Sequence, residues 1–388
     1  MCSSDLVVDT VMVGGLGPEA ISAAGVGNSM HIAFAIFGMS IMLGLDTLVS
    51  HAYGARQVRE CHRWFFDGLT LAALMTVPLM LLLAGVWFAI PSLGFHGAVR
   101  PLLRSYFGVL ILSTPLLLFY AVCRRYLQAM HAATPVMIAL VTANIINAAV
   151  NWVLIYGHLG FPAMGVAGSA WATVSARAYM VVTLLIAVWW IDRQRTGDSL
   201  WHVDRGFDAE RLKRLVTLGF PAASQVGAEV GVFAMATAMS GMLDPISSAA
   251  HQIALNLASV AFMVPLGLGS AGAVRVGHAV GAGDRMRASA AGWTAILLAV
   301  AFMTLSGLAF ATTPRQLIAL FSTDANVLRA GTALLLIAAV FQLFDGIQGV
   351  ITGTLRGLGN TSTAMRVNLI AHWLLGLPTS YVLCLDRK

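Results

Sequence analysis

Seventeen acidic residues are scattered through 388, and most fall in turns or at the ends of apolar stretches. Asp9, Glu229 and Asp345 are the exceptions, each placed well inside an apolar run. An ionised carboxylate at that depth costs at least ~2.5 kcal/mol unless it is paired, hydrated or protonated. Burial favours the neutral acid and a bound cation favours the ionised one. A group held between those tendencies can take up a proton or Na+ and release it when its surroundings change. Glu229 follows Pro221, is flanked by Gly227 and Gly231, and has Gln225 one helical turn earlier on the same face. Asp345 has Gln342 and Gln348 three residues to either side. Asn144, Asn147 and Asn151 keep roughly one helix face, and Gln252 and Asn256 stand one turn apart. For these amides, hydrogen bonds between helices and contact with a solute are both open readings.

Other chemistry finds no support. Four cysteines show neither paired nor metal-ligand spacing, and there is no phosphate-binding loop, zinc-protease helix or nucleophile elbow. Gly14–Gly17 is glycine-rich but lies in a turn between apolar runs. No catalytic constellation emerges, so an enzyme is not expected and no cofactor is implied.

The elements that must carry these acids are membrane helices. Hydrophobic residues make up 58% of the chain and charged ones 10%, against about 25% charged in a soluble domain. A spanning helix needs about 20 mostly apolar residues, and eleven stretches qualify or nearly so: 7–14, 20–53, 64–90, 100–129, 134–156, 165–192, 210–242, 246–280, 286–312, 325–357 and 362–385. Pro115, Pro221, Pro265 and Pro378 lie inside them, where each frees a backbone carbonyl and favours a bend. Counting the turns alternately, sixteen basic residues, among them Arg56, Arg124, Arg275, Arg285 and Arg356, fall on one side and only Arg100, Arg104, Arg315 and Arg329 on the other. The excess marks the cytoplasmic side. The net charge of +6 therefore reports topology, and no nucleic-acid partner is expected.

The chain also repeats itself. Leu48–Ala55 (LVSHAYGA) matches Arg275–Ala282 (RVGHAVGA) at an offset of 227, and Leu127–Met137 matches Leu355–Met365 at 228. His51 and His278 are mates in this repeat and read as structural. Six helices fit within each offset, so both copies begin on the same side and the repeat is parallel. The expected fold is an all-α polytopic membrane protein of two six-helix bundles, 1–192 and 209–388, joined by a polar cytoplasmic linker at 193–208. The arithmetic predicts a shortened first helix and no twelfth. Residues 1–6 and 386–388 can be back-translated into complementary pieces of one adapter-like DNA string, which predicts that they are foreign to the gene.

Val8–Gly14 (VDTVMVG), Gly44–Ser50 (GLDTLVS), and Val264–Gly267 (VPLG) through Gly281–Asp284 (GAGD) resemble the multidrug and toxic compound extrusion (MATE) family, its NorM-like branch most. The resemblance runs from Val7 to about Leu385. It implies two bundles in a V that open alternately to either side, and export of cationic, amphipathic compounds in exchange for Na+ or H+. Glu229 and Asp345 match the second-bundle cation-site carboxylates, which makes them the implied Na+ ligands. Asp9 matches an acid that in some members belongs to a proton site. In some relatives an aspartate stands where this chain has Asn151, and an amide cannot titrate. Phe262 falls near a cation-contacting tyrosine of other members, and a phenyl ring still offers a cation–π face. The implied surroundings are the bilayer of a bacterial inner membrane, with a monomeric chain whose N-terminus is cytoplasmic. A flippase for lipid-linked saccharides on a related two-bundle fold is the alternative. Its cavity should be strongly cationic, whereas the mid-membrane charges here are acidic.

Overall fold

The computed structural model describes residue 9 and residues 12–194, 200, 203, 206–241 and 244–385. Much of the 193–208 linker and the terminal segments 1–6 and 386–388 lie outside the described residues. Among the described residues the structure is helical, with no strand. It divides into two compact units, Met1–Leu45 with Gln57–Gly219, and Asp46–Arg56 with Phe220–Lys388.

The first unit contains α1 (Pro18–Ile41), α3 (Val58–Ala89), α4 (Val99–Ile111), α5 (Thr114–Ala129), α6 (Ala133–Tyr156), α7 (Val166–Gln194) and the opening turns of α8 (Ala209–Gly241). The stretch 20–53, read as one span, is interrupted at Met42–Leu43, and α2 (Gly44–Gly54) follows the interruption. The stretch 100–129 is likewise two helices, α4 and α5, bent by 43°. Pro115 stands in the first turn of α5 rather than mid-span, because a residue with no N–H is cheapest where the helix has no donor to lose. The bend is sealed by polar groups: Arg177 of α7 donates to Ser113 Oγ, and His31 of α1 meets Thr114 Oγ1 at 3.3 Å. Around it, Leu83, Leu103, Tyr106, Phe107 and Ile155 form a buried core.

The second unit contains the remainder of α8, α9 (Pro245–Gly281), α10 (Arg285–Thr312), α11 (Pro314–Ala319), α12 (Ala325–Gly357), α13 (Thr361–Leu369), a π-helical segment (Ile370–Gly376) and α14 (Leu377–Leu385). Helix starts reproduce the repeat: Pro18 and Pro245, and Val58 and Arg285, are 227 apart, and Ala133 and Thr361 are 228 apart. The copies differ in that α9 and α12 are continuous where their counterparts break. Asp244, Asp284, Asp324 and Asn360 cap α9, α10, α12 and α13 by accepting backbone N–H groups, which explains acids at helix ends. In α12, Gly353 and Gly357 rest on the Gly269 and Ala273 carbonyls of α9, positions with no room for a Cβ. Small residues let membrane helices approach this closely.

The repeated motif crosses itself. Gly54 lies on the His278 carbonyl, and its mate Gly281 lies on the His51 carbonyl. His51 Nε2 also reaches the Gly357 carbonyl at 2.8 Å, and Thr47 donates to the Arg356 carbonyl at 2.6 Å. The matching histidines are structural pieces of one crossing.

Seven described helices are long and apolar enough to cross a membrane, or eight with the bent pair. The expected spans at 210–242 and 362–385 are not among them. Gln225 and Glu229 lower the hydropathy of the first, and the second is divided into α13, the π-helical segment and α14, each shorter than a span.

Candidate functional site

In the second unit, Glu229 on α8 and Asp345 on α12 are half-buried, and Glu229 lies within electrostatic range of Asp345. Neither makes a hydrogen bond or ion pair with another of the described residues. Asp345 also lies within electrostatic range of His372 in the π-helical segment. Polar contacts tie the three elements together. Gln225 Nε2 donates to Thr352 Oγ1 of α12 at 3.2 Å, and Gln348 Nε2 donates to Asn368 Oδ1 of α13 at 2.7 Å. Trp373 Nε1 donates to the Ala228 carbonyl at 3.1 Å, one residue before Glu229. The π-helical winding brings His372 and Trp373 to this place, and such segments recur at functional positions. Gln342 is fully buried; its Oε1 accepts from Ser306 of α10 at 3.2 Å while its Nε2 has no partner. The Phe262 ring would stand 3.1 Å from a Cβ placed on Gly349, one turn beyond Asp345.

Gln252 and Asn256 are placed otherwise. Both are exposed on α9 and make no hydrogen bond to another described residue, so the helix-to-helix bonding open to them is not made. Among the described residues, no group of three or more His, Cys, Asp or Glu side chains has a geometry that could hold a metal ion.

In the first unit, Asp9 is buried. Its Oδ1 accepts from Asn151 Nδ2 at 2.7 Å and its Oδ2 from Thr173 Oγ1 at 3.1 Å. The Asn151 amide also reaches Asn147 Oδ1 at 3.1 Å. Asn144 turns away and donates to the Leu140 carbonyl of its own helix at 3.0 Å, so it does not join the cluster. Tyr106 lies within electrostatic range of both Asp9 and Arg177.

Sequence reasoning passed over Thr173, Asn368, His372 and Trp373. The polar pair Asn368 and His372, four apart in an apolar stretch, was the available signal. Thr173 offered none, since a lone threonine in a membrane helix commonly bonds its own backbone.

A charge-poor helical chain whose two units each hold carboxylates inside an apolar bundle is a multi-pass membrane protein, and its relatives make it a transporter rather than an enzyme. The family model MatE matches residues 3–153 and 221–382, and the chain belongs to that family. It is 36% identical to the "Probable multidrug resistance protein NorM" of Mesorhizobium japonicum, over 97% of this chain and 82% of that one. It is also 36% identical to the protein so named in Burkholderia pseudomallei, over 97% and 81%. Among solved structures it is similar to a MATE protein in its bent conformation, with TM-score 0.89 and 19% identity over 99% of this chain and 85% of that one. It is also similar to the eukaryotic MATE transporter AtDTX14, with TM-score 0.86 and 23% identity over 100% and 86%. The two-bundle helical fold is the one shared.

Proposed function

We propose that the chain exports cationic, amphipathic compounds in exchange for Na+ or H+, with Glu229 and Asp345 as the coupling carboxylates. One observation carries this reading: two acids on different helices of one bundle lie within electrostatic range and share no ion pair with the described residues. Two such carboxylates repel, and taking up one cation relieves the repulsion. Their oxygens are hard donors of the kind that suit Na+ as well as a proton. Relatives at 36% identity are named as multidrug resistance proteins, which supports export of structurally varied compounds.

Uptake of the small cation lets α8, α12 and the π-helical segment draw together. The organic cation loses its electrostatic partner and leaves. Gln225, Gln342, Phe262, Gln252 and Asn256 are the contacts we assign to that passenger in the second unit, with Asn147 and Asn151 in the first. Exposed amides facing lipid would be costly, which supports a water-accessible face at Gln252 and Asn256. Asp9, whose oxygens accept from Asn151 and Thr173, is the acid we assign to proton coupling in the first unit, where the Asn151 amide cannot titrate. The two repeats, 1–192 and 209–388, rock against each other, and the 193–208 linker tolerates the motion. The reading sets a monomer in a bacterial inner membrane, with its N-terminus cytoplasmic.

The test is dye efflux from vesicles carrying the protein, with Na+ and pH gradients imposed separately. Glu229→Gln and Asp345→Asn should each abolish gradient-driven efflux, and whichever gradient drives the wild type names the coupling ion. Full efflux in both variants would overturn the proposal.

A further inference from the structure

An open groove of about 560 Å3 runs between the end of α9, the start of α10 and the end of α12. Val276, Val280, Ile296 and Leu358 give it an apolar lining, and Arg285, Ser289 and Trp293 line it along α10. Arg285, Ser289 and Trp293 stand on successive turns of one helix face, so the Cα atoms of Arg285 and Trp293 are about 12 Å apart along the axis. That is the sequence of environments a phospholipid presents from phosphate to acyl chain. Trp293 is 63% exposed, and exposed Leu297, Leu298 and Leu305 continue along α10, so the groove opens where the helix meets lipid. Tryptophan at that level marks the membrane–water boundary.

Arg285 is the one charged side chain among those lining the groove. Asp284 pairs with Arg287 at 3.3 Å, whereas Arg285 has no ion pair among the described residues. Gly292 keeps the groove open, since the nearest atoms to a Cβ there are 3.9 Å away.

We infer that this groove binds one anionic phospholipid of the cytoplasmic leaflet, its phosphodiester on Arg285 and Ser289 and an acyl chain along Val276, Val280 and Ile296. A cationic passenger would be repelled by Arg285, and a free phosphate would leave the apolar lining unused.

Nondenaturing mass spectrometry of the detergent-solubilised chain, titrated with phosphatidylglycerol or phosphatidylcholine, tests this. The wild type should retain one phosphatidylglycerol about fivefold better than phosphatidylcholine, the ratio expected of one basic side chain near an anionic headgroup. Arg285→Gln should erase that preference and Arg285→Lys should restore it. Gly292→Leu, which fills the groove, should weaken both lipids about tenfold, as loss of two buried methylenes' contact would. Arg285 is exposed, so its replacement disturbs no packing. Unchanged preference in Arg285→Gln, unchanged retention in Gly292→Leu, or displacement of phosphatidylglycerol by inorganic phosphate would each overturn the inference.

Discussion

The side-chain amide of Asn151 donates to Asp9 Oδ1 at 2.7 Å, and the same nitrogen reaches Asn147 Oδ1 at 3.1 Å. A buried carboxylate is thereby held by an amide 142 residues away in the chain. Asn151→Ala removes the shorter of the two bonds to Asp9, and a hydrogen bond to a charged group contributes roughly 1.5–3 kcal/mol. The expected result is a lower thermal unfolding midpoint of the purified protein. Thr173→Val, which removes the 3.1 Å bond, should lower it less. Equal midpoints for Asn151→Ala and wild type would show that this bond does not hold the acid.

Gln342 separates stability from transport. Ser306→Ala strips the one partner of its Oε1 and leaves both ends of a buried amide unsatisfied, at a cost of about 1–3 kcal/mol. Gln342→Leu removes the whole polar group at similar volume and should be close to neutral for folding. If Gln342 contacts the passenger, Gln342→Leu should keep the unfolding midpoint and lower dye efflux several-fold. Normal efflux from that variant would remove Gln342 from the substrate path.

Close helix contact makes opposite demands on two glycines. Gly353 abuts the Gly269 carbonyl, while Gly85 on α3 has nothing within 4 Å of a built Cβ. Gly353→Val should destabilise by about 1–3 kcal/mol or more, because backbone cannot yield as a side-chain tip can. Gly85→Ala should stabilise by about 0.5–1 kcal/mol through helix propensity. Denaturation of both variants under one set of detergent conditions measures the contrast, and a tolerated valine at 353 would mean that α9 and α12 are not packed this closely.

Trp373 anchors the π-helical segment to α8 through the Ala228 carbonyl at 3.1 Å. Trp373→Phe keeps a ring against Gly231 but deletes the donor, which costs about 0.5–1.5 kcal/mol. Since Ala228 adjoins Glu229, the expected signature is altered dependence of efflux on Na+ or proton concentration with little loss of folded protein. Unaltered coupling would make the bond purely structural.

The membrane character, most of the spans, the repeat and the three submerged acids were legible in the sequence. Hydropathy and internal similarity are properties of consecutive residues and survive without knowledge of the fold. The spacing of Gly346, Gly349, Gly353 and Gly357 alone puts them on one face of α12. What the sequence could not carry was how each helix is turned. A membrane helix is apolar on all sides, so it has no single hydrophobic stripe from which its rotation can be read. The meeting of Thr173 with Asp9, the turning of Asn144 to its own backbone, the exposure of Gln252 and Asn256, and the arrival of Asn368, His372 and Trp373 beside the two acids were therefore decided by tertiary packing. So were the breaks at Met42–Leu43 and Ser113, the second met by the Arg177 and His31 side chains of other helices.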